Sequence, residues 1–202
     1  MSPDRATTTP HPVVAVEATI RNAWASLPAP DRQLLDAIGA SQYCVVIEPI
    51  GDAVDGMRRS AGLSGLSSHA KRRLARAYGV WIKELKIVLI NAAHPELIGL
   101  SDEALEAFVA HLAWHEWGHA LSVERCTSDD VFDGRRLLEL CPEGLREDIR
   151  AAGYGPRSLT HEIVAEVYAL LMERRQRAER GQPPWLNSEI YALVQRVTAW
   201  TG

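Results

Sequence analysis

Apolar residues recur at helical spacing in two long segments of this chain. In residues 105–112 they stand three or four positions apart, which places them on one face of an α-helix. Ser101, followed by two acidic residues, is a typical start for this helix, because its side chain can cap the first turn. Residues 163–171 repeat the same spacing. We therefore predict one helix that begins near Ser101 and a second over residues 158–180.

Shorter segments around these two helices define the rest of the expected fold. Three runs rich in β-branched and aromatic residues predict strands, over residues 43–50, 79–82 and 86–91. Residues 83–85 can close a hairpin between the last two strands, although no Gly, Asn or Asp marks this turn. Six further runs predict helices or helical turns, over residues 16–26, 31–39, 67–77, 134–140, 143–151 and 188–200. The glycine-rich residues 51–66 predict a loop. The expected fold class is α+β, with a small, mostly antiparallel sheet packed on the helix from Ser101 and a helical C-terminal half.

Length and composition favour a single domain. The chain has 202 residues, of which 47 % are hydrophobic, enough to bury a core. Residues 1–12 are rich in threonine and proline, so we predict a disordered tail there and one domain over residues 13–202.

Charge and hydropathy disfavour several classes of protein. The formal net charge of −4 argues against a nucleic-acid partner. No apolar run is long enough for a transmembrane helix, and no basic region with a following apolar stretch opens the chain. We therefore expect a cytoplasmic protein without a membrane partner. The three cysteines include no Cys-x-x-Cys pair, which argues against a disulfide framework and a thiolate zinc finger. The oligomeric state stays open.

Residues 115–119 read His-Glu-Trp-Gly-His within the first predicted helix. Two histidines four positions apart lie on one face of a helix, so both imidazoles can bind one zinc ion. Glu116 is offset around the helix, where it can take a proton from a water molecule bound to zinc. This H-E-x-x-H pattern predicts His115 and His119 as metal ligands and Glu116 as the general base.

A catalytic zinc ion needs a third protein ligand. The longer pattern that supplies a third histidine is absent, because Arg125 occupies the required position. The second predicted helix carries Glu162 and Glu166 four positions apart, on one face. One of these carboxylates can bind zinc, and the other can accept the free N–H of a ligating histidine.

An H-E-x-x-H helix followed by a helix with two such carboxylates resembles the gluzincin metallopeptidases. Two compact branches are most similar, the anthrax-lethal-factor-like group with the proline-specific endopeptidases, and the ImmA-type peptidases. Residues 162–168, Glu-Ile-Val-Ala-Glu-Val-Tyr, are similar to the E-F-F-A-E-x-F of the first branch. Residues 162–172 resemble the E-x-x-A-N-x-F-A…L-L-M of the second, with two residues fewer.

The resemblance extends over roughly residues 77–175. It implies a zincin-like fold, one zinc ion per chain, Glu162 as the third metal ligand and Glu166 as the partner of a ligating histidine. In both branches a strand like residues 86–91 lines the substrate cleft, which implies a protein or peptide substrate bound in extended form. We expect this strand to pair with the substrate backbone. The implied activity is hydrolysis of peptide bonds.

The lethal-factor-like branch also has a tyrosine seven residues before its glutamate ligand, which donates a hydrogen bond to the oxyanion. Tyr154 stands eight residues before Glu162 and is the candidate for this role. Packing in a Gly-Tyr-Gly turn is the alternative for Tyr154.

Three further features complete the two helices and their surroundings. His111 lies one turn before His115, from where it can approach the site, but we favour the interpretation that it is a histidine on the helix face. Gly118 costs a helix about 1 kcal/mol relative to alanine, which is consistent with the close approach of another backbone. The basic run over residues 71–76 is interpreted as a solvated helix face.

Two other classes of function remain open. In the first, zinc is structural or regulatory, the chain is a binding module, and Glu116 is dispensable. In the second, the chain binds no metal and is a helical interaction protein that uses residues 188–200. A toxin, a regulator and a housekeeping peptidase are all compatible with the sequence.

Overall fold

A computed structural model describes residues 12–125, 135–151, 154, 156–176, 189, 190 and 192–194 of the chain. The helices are α1 (Pro12–Ser26), α2 (Ala29–Ala37), α3 (Ile50–Ser60), α4 (Ser68–Leu74), α5 (Asp102–Arg125), α6 (residues 135–140), α7 (Glu143–Ala151) and α8 (Pro156–Gln176). The strands are β1 (Gln42–Val46), β2 (Gly79–Ile82) and β3 (Ile87–Asn91). These elements confirm the mixed α+β class.

The three strands form one sheet in which β3 is the middle strand. β3 pairs antiparallel with β2 and in parallel with β1. The prediction of a mostly antiparallel sheet is therefore wrong for the β1–β3 pair. A parallel pair needs a long crossover connection, and here α3, α4 and β2 together provide it.

Residues 47–60 differ most from the expected structure. β1 ends at Val46, and α3 occupies most of the segment for which a loop was predicted. Ile50, Ala53 and Val54 of α3 are buried, and they pack in a small core with residues of all three strands. The gain from burying this apolar face outweighs the cost of the two glycines within α3.

The hairpin turn between β2 and β3 and the cap at the start of α5 both form as expected. The β2–β3 hairpin closes through Lys86, which adopts a left-handed backbone conformation with φ +52°. This turn therefore forms without the glycine or asparagine that usually marks such a position. At the start of α5, Ser101 Oγ accepts a hydrogen bond from the Ala104 N–H, which confirms the predicted cap.

α5 lies at the centre of the main core and packs against α8, α1, α2 and the sheet. Trp114 and Trp117 of α5 are fully buried. A Cβ atom on Gly118 would lie 3.0 Å from the Ala165 Cα atom of α8. Gly118 therefore allows α5 and α8 to approach closely, which confirms the interpretation of this glycine.

The two ends of the chain lie largely outside the described residues. Of the predicted tail, only Pro12 is described, and it begins α1. Of the predicted C-terminal helix, residues 189, 190 and 192–194 are described as helical. Ile190, Leu193 and Val194 are buried in the main core, so these apolar residues are not available to a partner protein.

The structure also bears on membranes and cysteines. Across the described residues, no helix is both long enough and apolar enough to cross a membrane. Cys44 and Cys141 are free thiols, whereas Cys126 lies outside the described part of the chain.

Candidate metal centre

The seam between α5 and α8 brings together the three residues that the sequence proposed as metal ligands. His115 and His119 project from successive turns of α5, and their Nε2 atoms lie 3.1 Å apart. Glu162 projects from α8 toward both. Its Oε2 atom lies 3.4 Å from His115 Nε2 and 3.3 Å from His119 Nε2. Two nitrogens and one oxygen thus form a nearly equilateral triangle.

This triangle has the dimensions of one face of a zinc coordination tetrahedron. Metal–ligand distances of about 2.0–2.1 Å and tetrahedral angles separate neighbouring ligand atoms by about 3.3 Å. The observed separations of 3.1, 3.3 and 3.4 Å agree with that value. Glu162 Oε2 is buried and has no hydrogen-bond partner within the described residues. Because a buried carboxylate oxygen needs a partner, this donor set fits a cation.

The electrostatics of the triangle keep Glu162 ionised. Burial of Glu162 favours its neutral form, but the close imidazoles of His115 and His119 outweigh this and lower its pKa to about 2. Burial likewise favours neutral His115, but Glu162 and Glu166 outweigh it and raise the pKa of His115 to about 10. The carboxylates therefore create a strong preference for positive charge at this place.

Glu166 contacts the outer side of His115. Its Oε2 atom lies 3.1 Å from His115 Nδ1, so the Nδ1–H group donates to the carboxylate. Once a metal ion displaces the proton from Nε2, this bond keeps the Nε2 lone pair directed toward the ligand triangle, as a ligating histidine requires. Glu162 thus contacts both histidines of the triangle, and Glu166 contacts His115 through its other ring nitrogen.

Glu116 lies beside the triangle and faces the sheet. Its side chain is buried, and its Oε2 atom accepts a hydrogen bond of 2.6 Å from the backbone N–H of Trp81 in β2. Burial raises the pKa of Glu116, although the nearby positive charges of His119 and His115 oppose this. A raised pKa suits a carboxylate that must take up and release a proton near neutral pH.

Tyr154 lies within electrostatic reach of the centre. Burial of its phenol group, followed by the negative charges of Glu162 and Glu116, raises its pKa above the ordinary value. The hydroxyl is therefore protonated at neutral pH and can donate a hydrogen bond. Because the residue is 41 % exposed, a ligand from solvent can reach it.

The strand predicted to bind substrate is not the one that adjoins the centre. Residues 86–91 correspond to β3, whose two edges are occupied by β1 and β2. β3 therefore cannot pair with an additional strand, and this prediction is wrong. In the described structure β2 is the edge strand that contacts α5, and Gly79 allows it to lie directly on Leu112 of that helix.

His111 contributes more to the surroundings of the centre than its sequence position indicated. Its two ring nitrogens lie 2.9 Å from Glu173 and 3.2 Å from Glu166. Burial favours the neutral ring, but these two carboxylates outweigh it and raise the pKa of His111 to about 9. The spacing of the glutamates along α8 could have indicated these contacts of His111 from the sequence. Glu173 follows Glu166 by two helical turns and therefore lies on the same face of the helix.

Comparisons with protein-family models, with curated proteins and with solved structures found no match for this chain. The function is therefore inferred from the chemistry and geometry of the centre itself.

Proposed function

We propose that this protein is a zinc-dependent metallopeptidase that hydrolyses peptide bonds in a protein or peptide substrate. The observation that carries this proposal is the triangle of His115, His119 and Glu162 atoms, with a buried carboxylate beside it that is not part of it. A structural zinc site is normally closed by four protein ligands, whereas a catalytic site has three and an open position. Among the described residues, three ligand atoms meet at this triangle.

Each residue around the triangle has a defined role in this reaction. A zinc ion held by the three ligands would polarise the substrate carbonyl and lower the pKa of a water molecule. Glu116 removes a proton from the attacking water and then transfers it to the leaving amine nitrogen. The N–H of Trp81 holds one oxygen of Glu116 and leaves the other for the proton. Tyr154 donates a hydrogen bond to the oxyanion that develops on the carbonyl.

The outer edge of β2 is the surface that we assign to an extended substrate. The Asn91 N–H donates to the Tyr78 carbonyl, so the backbone groups of Tyr78 face β3. Because the backbone alternates along a strand, those of Gly79 and Trp81 face outward, as the bond from Trp81 to Glu116 also indicates. A peptide that pairs with this edge lies above α5, next to the metal ligands. Together, β2, α5 and α8 support a zincin-like arrangement.

The first experiment measures bound metal by mass spectrometry. We expect about one zinc ion per chain in the unmodified protein and a loss of zinc in the His115→Ala variant, because one of three ligands is removed. His161→Ala is the matched control, since His161 is exposed on α8 beside Glu162. An unmodified protein that takes up no zinc, even in excess, would overturn the proposal.

The second experiment tests the general base with a peptide library. We expect Glu116→Gln to retain zinc and to lose about 10²–10⁴-fold in the rate of hydrolysis. Glu106→Gln is the matched control, because Glu106 is an exposed glutamate on the same helix. Full activity of Glu116→Gln would refute the assignment of the base. A protein that binds zinc but cleaves no peptide would instead be a zinc-binding module.

A further inference from the structure

The contacts between α5 and α8 continue beyond the metal ligands as a chain of alternating histidines and glutamates. His115 Nδ1 contacts Glu166 Oε2 at 3.1 Å, and Glu166 Oε1 contacts His111 Nε2 at 3.2 Å. His111 Nδ1 then contacts Glu173 Oε1 at 2.9 Å. Glu166 thus contacts both histidines, since His111 Nε2 also lies 3.3 Å from Glu166 Oε2, the oxygen that contacts His115. Each nitrogen of His111 contacts a different glutamate.

Hydrogen bonds satisfy every nitrogen of His111 and both histidine contacts of Glu166, whereas one buried oxygen of the ligand triangle has no hydrogen-bond partner within the described residues. Every contact of His111 and Glu166 joins a ring nitrogen to a carboxylate oxygen, so each is satisfied by one N–H donor. In the triangle, one N–H can join the nitrogens of His115 and His119, but the buried Glu162 Oε2 has no hydrogen-bond partner within the described residues. His111, His115 and Glu166 also bring one ligand atom each within 4.8 Å of one another. Because N–H donors satisfy the contacts among these three residues, their arrangement is explained without a second metal ion.

The geometry restricts how Glu166 can move. A carboxylate held by one histidine can rotate about its side-chain bonds, but a carboxylate held from both sides cannot do so without breaking a charged hydrogen bond. The side chains of His111, Glu166 and Glu173 are only 24, 21 and 27 % exposed, so water competes poorly for these bonds.

We propose that His111 is a positioning residue of the metal centre. It holds Glu166 where the carboxylate accepts the His115 Nδ1–H, and Glu173 in turn holds His111. The bond from His115 to Glu166 fixes the tautomer in which Nε2 binds the metal, so His111 acts on metal affinity through Glu166. This inference rests on the proposed function only in requiring that the triangle binds a metal ion.

Two conservative variants of His111 separate its two hydrogen bonds. The amide nitrogen of glutamine replaces Nε2, so His111→Gln keeps a donor for Glu166. The amide nitrogen of asparagine replaces Nδ1, so His111→Asn keeps a donor for Glu173 and leaves Glu166 unsupported. Partners of ligating histidines typically contribute 10–100-fold to metal affinity. We expect His111→Asn to weaken zinc binding by about tenfold and His111→Gln by less than about threefold.

The experiment measures zinc affinity by competition with a chelator, and the visible spectrum of the full chain loaded with Co²⁺. Glu166→Gln is included alone and combined with His111→Asn. Because His111 acts through Glu166, the double variant should bind zinc no more weakly than Glu166→Gln alone. His111→Asn should also shift the Co²⁺ bands, since the orientation of a ligand changes.

Several outcomes would overturn this inference. Unchanged affinity and spectrum in His111→Asn, or effects of His111→Asn and Glu166→Gln that add, would show that His111 does not act through Glu166. If His111→Asn fails to fold, Glu173→Gln is the second variant, and it should weaken zinc binding in the same direction by a smaller factor. An unmodified protein that binds neither Zn²⁺ nor Co²⁺ would overturn the proposed function itself, which is a distinct result.

Discussion

Glu116 and His115 are neighbours in the sequence, yet the helix gives them different environments. Successive residues of an α-helix point about 100° apart, so His115 faces α8 whereas Glu116 faces β2. Because β2 supplies a backbone N–H, the buried carboxylate of Glu116 is held in place by a hydrogen bond. At the scale of single residues, the helix therefore separates the candidate metal ligands from the proposed proton acceptor.

Zinc affinity should depend on pH because a proton and the metal compete for His115. Before zinc binds, the neighbouring glutamates raise the pKa of His115 to about 10, so the ring is protonated at neutral pH. Zinc needs the deprotonated nitrogen, and its binding therefore releases a proton. We expect the apparent affinity to rise by about tenfold per pH unit between pH 6 and 8. Competition with a chelator, corrected for the chelator's own titration, measures the zinc affinity at each pH. A zinc affinity that does not change between pH 6 and 8 would contradict this prediction.

Tyr154→Phe tests the proposed donor to the oxyanion. The variant removes one hydroxyl group at a partly exposed position, so zinc content and folding should be preserved. Loss of one oxyanion donor typically lowers kcat by about 10²–10³-fold. Tyr43→Phe, on β1, is the control and should retain full activity. Steady-state kinetics on a cleavable peptide measure kcat for both variants. An unchanged kcat in Tyr154→Phe would show that Tyr154 serves only in packing.

At the scale of elements, the position of α8 on α5 determines whether the ligand triangle exists. His115 and His119 are brought together by one helix, but the distance to Glu162 depends on how closely the second helix approaches. Gly118 lies between the two histidines in the sequence and faces Ala165 and Tyr168 of α8. This glycine therefore sets the distance across which the ligands must meet.

Gly118→Ala should destabilise the protein and weaken metal binding. The added Cβ would lie 3.0 Å from the Ala165 Cα and 3.2 Å from the Tyr168 Cβ, so the helices must separate. Overpacking of this kind typically costs about 1–3 kcal/mol, which exceeds the gain of up to about 1 kcal/mol in helix propensity. Urea denaturation and zinc titration provide the measurements.

Gly56→Ala is the matched control for this variant. Gly56 also lies within a helix, but a Cβ there would meet nothing within 4 Å. We expect Gly56→Ala to leave zinc affinity unchanged and to stabilise the protein by about 0.4–1 kcal/mol. Equal effects of the two variants would contradict the close approach at Gly118.

At the scale of the whole molecule, the candidate metal centre is supported by elements that are distant in the sequence. The Trp114 indole N–H of α5 donates to the Ala23 carbonyl of α1. The Tyr168 hydroxyl of α8 donates to the buried carboxylate of Asp31 in α2. α1 and α2 are therefore hydrogen-bonded to α5 and α8, the two helices that carry the candidate metal ligands. These four helices contribute to the same hydrophobic core.

Zinc should stabilise the entire fold, since its ligands come from two helices of the main core. At free zinc one hundred times above Kd, binding adds about 2.7 kcal/mol to the free energy of unfolding. For a domain of this size that corresponds to an increase in Tm of about 5–10 °C. Differential scanning fluorimetry measures the shift, which should be absent in His115→Ala. An equal shift in that variant would indicate that zinc binds elsewhere.

The sequence predicted most of what depends on local geometry. The spacing of His115 and His119, the cap at Ser101 and the hairpin from residues 79–91 all follow from a few neighbouring residues, and all are present. The helix at residues 50–60 was missed. Its two glycines are unfavourable locally, and the burial that favours it is only gained once the sheet is in place.

Residue types and spacing by themselves therefore determined the helices that carry His115, Glu116 and Glu162, because helical periodicity is a property of one segment. Only the tertiary structure decided that β3 is the middle strand, that β2 provides the edge and the N–H for Glu116, and that His111 supports Glu166. Strand order and contacts between helices depend on which surfaces are buried together. That choice is made by the free energy of packing across the whole chain, and no single segment contains it.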